Sequence, residues 1–322
     1  MTTVFMGTPA FAVPTLRRLA GDGHQIAAVY TQPDRPAGRG RRLTPPPIKK
    51  AALALDLTVR QPESLRDPEA QAELAALGPE AIVVVAYGQL LPQAVLDIPP
   101  RGVLNVHPSL LPRHRGASPV PAAILAGEQE TGVTVILMDA GMDTGPVLAQ
   151  RALPIEPADT TGSLSDRLSR LAADLVAETL PDWLAGRIEP APQDESQATK
   201  TPLLRKGQGA IDWSLPAEEI WQRVRAYNPW PGAFTTLDVE RLYIWEAWPL
   251  QYETGQPQGT VVQLSEAPAS AFPAGSEGAF GVQTGRGVLA VRVVQREGRR
   301  ALPAGEFAHG LRGLFGRKLV SP

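Results

Sequence analysis

A doubly wound, Rossmann-like parallel α/β domain followed by a smaller all-β domain is the fold class this sequence predicts. Three observations carry it. Short apolar, β-branched runs alternate with helical patterns through the first half of the chain. One run, AIVVVAYG at 81–88, is apolar on both faces, as a strand central to a parallel sheet must be. Beyond about residue 210 the pattern changes to short strands separated by glycine turns.

In order, TVFM (3–6) reads as a strand and FAVPTLRRLA as the helix after it. IAAVY (26–30) is a second strand, AQAELAALG (70–78) a helix, and 81–88 the central strand. GVLNVH (102–107) and GVTVILMD (132–139) follow as strands, and a long amphipathic helix over 163–186 closes this half. The reading gives a first domain over 1–187 and a polar, proline-rich linker over 188–206. It ends with a small all-β barrel or sandwich over 207–322, taken here as an open β-barrel of OB-like type, entered by a helix at 216–227.

Composition removes several classes of function. Lys and Arg number 31 against 33 Asp and Glu, a net charge of −2, so any contact with a polyanion must come from a local patch. There is no cysteine, which excludes disulfides, thiolate metal sites and a catalytic thiol. The histidines, at 24, 107, 114 and 309, have no metal-ligand spacing, so no metal is expected. MTTVFMGTPAFAVP lacks the basic and apolar regions of a signal peptide, and no run reaches membrane-spanning length. A cytoplasmic monomer without membrane contact is the expectation.

The stretch that carries chemistry is NVHPSLLPRHRGASP, 105–119. Residues two apart on a strand share a face, so Asn105 and His107 project together at the carboxyl end of their strand, where open α/β sheets bind ligands. ILMDAGMDTG (136–145) supplies Asp139 and Asp143 on a glycine-punctuated loop expected at the same edge. An Asn amide can donate to a developing oxyanion, a His can move a proton near neutral pH, and an Asp can orient that His and stabilise its charged form. Singly, each has an ordinary structural use: a hydrogen-bonded strand-end His, a turn-forming Asp. This pattern alone names no substrate.

GTPAFA (7–12) matches neither dinucleotide nor P-loop glycine spacing and reads as a structural βα turn. RPAGRGRR carries Arg35, Arg39, Arg41 and Arg42 between glycines and a proline, which suit a mobile loop and not a helix. Its guanidinium groups fit phosphates, although such a run taken alone is more often a solvated surface. The arginines of VRVVQREGRR and LRGLFGRK stand equally between these two uses. Trp213 and YNPWPG suit domain packing better than base stacking, and Trp230 suits either.

These stretches also resemble a known family. NVHPSLLPRHRGASP closely resembles the signature of folate-dependent formyltransferases, and DAGMDTGPVL (139–148) is similar to their Asp loop. TQPDRPAGRGRRLTPPPIK (31–49) and KGQGAIDWSLPAEEIWQRVRAYNPWPGAF (206–234) resemble segments of the members that act on tRNA. The resemblance implies 10-formyltetrahydrofolate as donor and the α-amine of methionyl initiator tRNA as acceptor. It implies that Asn105 and His107 bind the formyl oxygen and that Asp143 pairs with His107 to manage the amine's proton. Ser109, Leu110, Leu111 and Pro112, with Tyr87 and Gly88, would border the folate. Arg35, Arg39, Arg41, Arg42 and Lys206 would meet the tRNA acceptor arm. Position 108 departs from the tRNA-directed members, being Pro where a small residue is expected, which removes an N–H. The alternatives are an acceptor that is an amino-sugar nucleotide or purine precursor, hydrolysis of the formylfolate, or an RNA-binding module without chemistry.

Overall fold

AIVVV forms a strand buried along its whole length, inside a seven-stranded sheet. The structure is a computed structural model and describes residues 1–37, 40, 42–264 and 280–321. The chain divides into two contact units. The first comprises Met1–Pro119, Glu130–Pro154 and Leu164–Pro202, and the second Val120–Gln129, Ile155–Ser163 and Leu203–Pro322.

From the amino end the elements are β1 (Thr2–Gly7), α1 (Val13–Gly21), β2 (Gln25–Tyr30), β3 (Arg35–Ala37), β4 (Arg42–Thr44), α2 (Pro47–Leu53) and β5 (Val59–Arg60). Then come α3 (Pro68–Ala76), β6 (Ala81–Val85), α4 (Gln93–Leu96), β7 (Val103–His107), β8 (Arg115–Gly116) and α5 (Pro119–Leu125). β9 (Glu130–Leu137), β10 (Val147–Pro154), α6 (Thr161–Leu184) and β11 (Lys200–Thr201) follow. Local chemistry starts the helices. Pro14 lies in the first turn of α1, where a missing N–H costs nothing, and Asp67 caps α3 by accepting from Glu69 N at 3.1 Å. Along α6, Leu164, Leu168, Ala172, Leu175, Thr179 and Leu180 are buried at helical spacing, which fixes its inward face.

The sheet order is β10-β9-β7-β6-β1-β2-β5. β1, β2, β5, β6 and β7 are parallel. β9 runs antiparallel to β7, and β10 antiparallel to β9. The expected parallel sheet is therefore mixed, with a parallel centre and an antiparallel hairpin at one edge. On one side, Val4, Met6, Tyr30, Ile82, Val84, Tyr87 and Val103 pack with Leu65, Leu74 and Val95. The arms of the basic excursion, expected as a mobile loop, are paired, with Arg35 opposite Thr44 and Pro36 opposite Leu43. Arg39 and Arg41 lie outside the described residues.

The segment expected to be a linker is stitched into the first unit as far as Pro202. Ala191 bridges Val147, and β11 pairs with β8.

The second unit holds α7 (Ala217–Ala226), β12 (Ala233–Leu237), β13 (Glu240–Leu250), β14 (Val261–Val262), β15 (Phe280–Gln283), β16 (Val288–Arg296), β17 (Ala301–Pro303), α8 (Ala304–Gly310) and β18 (Leu319–Val320). Acidic residues open α7 and Arg223 and Arg225 close it, matching the helix dipole. The strands pair in the order β14-β15-β16-β13-β12-β18, with β17 on β16, all antiparallel. The two ends meet: Thr260 bridges Lys318, and Val261 N donates to Arg317 O at 2.8 Å. The sheet thus curls into the barrel that the sequence implies, around Trp213, Ile220, Val224, Ile244, Phe280, Val291 and Phe307. The sequence did not suggest β17, α8 or β18.

Among the described residues, no helix is long and apolar enough to cross a membrane. Among those residues, no group of three or more His, Cys, Asp or Glu is placed to hold a metal ion.

Candidate functional site

The site lies on the first unit, over β7. Asn105 pairs across the ladder with Ile136, and His107 with Thr134. Val103, Asn105 and His107 share one face of the strand by its period of two. Because β9 is antiparallel, its carboxyl end lies beside Val103, at the amino end of β7, where Met138 N donates to Val103 O at 2.8 Å. The Asp loop therefore does not leave from the same edge as His107, as the sequence reading assumed. It reaches Asn105 and His107 by folding back over the face of the sheet.

That return is tightly built. Leu137 N donates to Pro146 O at 2.9 Å, and a Cβ on Gly145 would strike the Leu137 carbonyl, so only glycine fits there. Asp139 Oδ1 accepts from Gly141 N at 3.0 Å and Thr144 Oγ1 at 2.7 Å, so this carboxylate builds the turn. Asp143 adopts a left-handed backbone, φ 56°, a conformation Asp and Asn tolerate better than most residues. Gln193 Nε2 donates to the carbonyls of Asp143 at 2.8 Å and Gly145 at 2.7 Å.

Asp143 then meets three groups. Oδ1 accepts from Asn105 Nδ2 at 3.3 Å, Oδ2 accepts from Gly116 N at 2.8 Å, and Oδ2 stands 3.6 Å from His107 Nδ1. The other ring nitrogen, His107 Nε2, lies 2.9 Å from His114 O. A carbonyl only accepts, so Nε2 carries the hydrogen, and in the neutral ring the free lone pair is on Nδ1, facing Asp143. His107 is buried to 5% exposure. Burial pushes its pKa below the ordinary histidine value, against the pull of the Asp143 charge and the bond to His114. The result is a neutral imidazole beside a carboxylate, ready to accept a proton and to be stabilised once it has.

The loop after β7 is fixed by hydrogen bonds. Thr134 Oγ1 donates to Ser109 O at 2.7 Å and accepts from Leu111 N at 3.1 Å, and Gln150 Nε2 donates to Leu111 O at 3.0 Å. Ser109 is fully buried and its hydroxyl donates to Arg113 O at 2.6 Å, so that side chain serves its own loop. Leu111 is buried, Leu110, Pro112 and Pro108 are half-buried, and Ser109 N turns back to His107 O at 3.0 Å. Arg115, at 3% exposure, forks onto Gln193 Oε1 and the Glu195 carboxylate, and His114 N donates to Thr199 Oγ1 at 2.8 Å.

At the end of β6 the Tyr87 ring is sealed in the core at 1% exposure, and burial pushes its phenol pKa far up. Tyr87 O accepts from Thr8 Oγ1 at 2.7 Å, and Gly88 is exposed with φ 87°. Arg35 and Arg42 are exposed on the hairpin arms of this unit. Lys206 is exposed on a short turn, 206–209, of the second unit. Sequence reading missed Gly116, Gln193, Glu195 and the His114 carbonyl. Their one sequence signal was that His114 and Gly116 lie inside the quoted stretch, on either side of Arg115.

Comparison with known proteins adds three findings. Residues 1–180 match the family model described as formyl transferase, and residues 203–312 match formyl transferase, C-terminal domain. The chain is 49% identical to the methionyl-tRNA formyltransferase of Chloroflexus aurantiacus over 97% of each chain. It is 46% identical to that of Hydrogenovibrio crunogenus, covering 98% of this chain and 97% of that one. Among solved structures, the Helicobacter canadensis N-formyltransferase in complex with folinic acid and dTDP-3-aminofucose superposes with TM-score 0.64 at 17% identity, over 90% of this chain and 98% of that one. HypX from Aquifex aeolicus superposes with TM-score 0.63 at 18% identity, over 97% of this chain and 47% of that one. These structural likenesses speak to the fold.

Proposed function

The chain belongs to the methionyl-tRNA formyltransferases of the formyl transferase family, and from that membership we propose how its residues divide the reaction. The enzyme transfers a formyl group to the amine of methionyl-tRNA. Its donor is a formylated tetrahydrofolate, in our reading the 10-formyl form, and its acceptor is the initiator tRNA. We place the reaction in the cytoplasm and read the enzyme as a monomer.

The observation that carries the mechanism is the Asp143 carboxylate, folded back onto Asn105 and His107. The amine of methionine attacks the formyl carbon, the carbonyl electrons move to oxygen, and the amine gives up a proton. Asn105 has a second amide hydrogen beyond the one on Asp143, and this donates to the oxyanion. The proton passes to the His107–Asp143 pair, whose imidazolium the carboxylate stabilises. Collapse restores the carbonyl and breaks the bond to N10, which takes up a proton, leaving formylmethionyl-tRNA and tetrahydrofolate. His107 Nε2 is committed to His114 O in the geometry described, so a direct bond from His107 to the formyl oxygen requires that contact to open. The amine is its own nucleophile, so no acyl-enzyme is required.

Folate binding is assigned to the loop of Ser109, Leu110, Leu111 and Pro112 and to the backbone at Tyr87 and Gly88. Ser109 contributes by shaping the loop. Arg35, Arg39, Arg41, Arg42 and Lys206 are assigned to the phosphates of the acceptor arm.

The test is formyl transfer from 10-formyltetrahydrofolate to methionylated initiator tRNA, beside uncharged tRNA and an amino-sugar nucleotide. Only the charged tRNA should be formylated, and Asn105→Ala should lower kcat by about 10²–10³-fold, the scale for one oxyanion donor. Formylation of the sugar alone would overturn the reading.

A further inference from the structure

The root of the basic hairpin is closed by a polar clasp. Asp34, the residue before β3, accepts from Lys49 Nζ at 2.9 Å on both carboxylate oxygens. Lys49 lies on α2, beyond the returning strand β4. One ion pair therefore joins the residue that leads into the hairpin to the helix that leads out of it. Gln61, just past β5, donates Nε2 to Asp34 Oδ1 at 2.8 Å and to Gln32 O at 2.9 Å. Gln32 N in turn donates to Thr8 Oγ1 at 3.3 Å. Thr8 belongs to the GTPAFA turn, so the clasp is anchored at the end of β1.

The pair is better sheltered than the chain's surface ion pairs. Its side chains are 25% and 22% exposed, against 40% and 58% for Arg151–Glu178. The Gln61 amide and then Lys49 hold the Asp34 carboxyl below the usual carboxylate range. Among the described residues, the hairpin itself has little to hold it. Its arms are three residues each, too short to be stable alone, and Arg35, Arg42 and Leu43 are exposed. Its direction is therefore set at its root. Binding to a phosphate chain depends on where the guanidinium groups are presented, because phosphate contacts fix register.

We propose that Asp34 is a positioning residue for the RNA substrate. The Asp34–Lys49–Gln61 clasp fixes the direction in which the paired arms, 35–37 and 42–44, offer Arg35 and Arg42 to tRNA phosphates. This rests on the reading of that hairpin as an RNA contact given above. Asp34 reaches the Tyr87 carbonyl on the folate side through three intermediaries, Gln61, Gln32 and Thr8, but is paired directly to the helix that ends the hairpin, so its effect should fall mainly on the tRNA.

The experiment uses the full chain and Asp34→Asn, which keeps shape and removes charge. KM for methionyl-tRNA should rise about 10-fold, while kcat at saturating tRNA and KM for 10-formyltetrahydrofolate stay within about twofold. The double variant Asp34→Lys with Lys49→Asp should restore KM for tRNA to within about threefold, since Gln61 can turn its amide oxygen toward a lysine. An unchanged KM for tRNA in Asp34→Asn would overturn the proposal. So would a fall in thermal midpoint accompanied by a rise in both KM values, the pattern of a structural role. Trypsin cleavage after Arg39, Arg41 or Arg42 reads the clasp without any RNA and should be faster in Asp34→Asn. If the wild-type protein formylates no tRNA, the substrate reading fails. Cleavage then still decides whether the clasp holds the hairpin, and an unchanged rate would overturn it.

Discussion

Replacing Asp143 with Asn isolates the charge from the shape. Asn tolerates the left-handed φ of 56° at this position, so the backbone of the loop is kept, as it would not be with a β-branched residue. The amide retains one oxygen acceptor for Gly116 N or for Asn105 and loses the other. What disappears is the negative charge 3.6 Å from His107 Nδ1. At an effective dielectric of ~20, two unit charges at that distance attract by about 5 kcal/mol, which sets the upper bound on lost imidazolium stabilisation. Oriented dipoles around the ring recover part of this, so kcat should fall by about 10²–10³-fold. KM for each substrate should stay within about threefold, because the interaction develops with the reaction. The assay is steady-state formylation of charged tRNA as a function of pH. The Asp143 charge raises the His107 pKa, so its removal should also move the acid limb of kcat to lower pH. A variant within about tenfold of wild type, or an acid limb moving upward, would refute the assignment of Asp143 as the partner of the charged ring.

Two further outcomes follow from the same geometry. The folded His107 pKa lies below its unfolded value of 6.5, so the neutral ring favours the fold; this stability is present above pH about 6.5 and is lost as pH falls toward the folded pKa. Thermal midpoints should therefore decline between about pH 7 and pH 5, and His107→Asn should flatten that decline; an identical slope in the variant would count against it. Gly145→Ala places a methyl against the Leu137 carbonyl, a backbone atom that cannot move aside, and should cost about 1–3 kcal/mol of stability, read by urea unfolding, together with loss of activity.

The parts of the fold most legible in the sequence were those whose periodicity records burial. AIVVV has no polar position because β6 is covered on both faces, and the a-period of α6 survives in its leucines. β10 was missed because VLAQRALP alternates part-buried and exposed positions at an edge and contains no long apolar run. The pairing of Asn105 with His107 was readable from a spacing of two. The direction of β9 was not, since parallel and antiparallel strands share the same side-chain alternation, and with it went the path of the Asp loop. Gln193 and Glu195 were invisible for another reason. A polar stretch looks alike whether its groups face water or partners distant in sequence, and Arg115 lies 78 residues from Gln193.

The hold of Gln193 on the carbonyls of Asp143 and Gly145 has a consequence for how the enzyme is made. The chain emerges amino end first, and the residue that secures Asp143 lies 50 positions behind it. At a synthesis rate of about 5–20 residues per second, Asp143 waits roughly 3–10 s for its fastening. During that interval Asn105 and His107 have both been synthesised, while the carboxylate is not yet locked over them. A nascent chain released or stalled between these points would carry every residue of the constellation and lack its order.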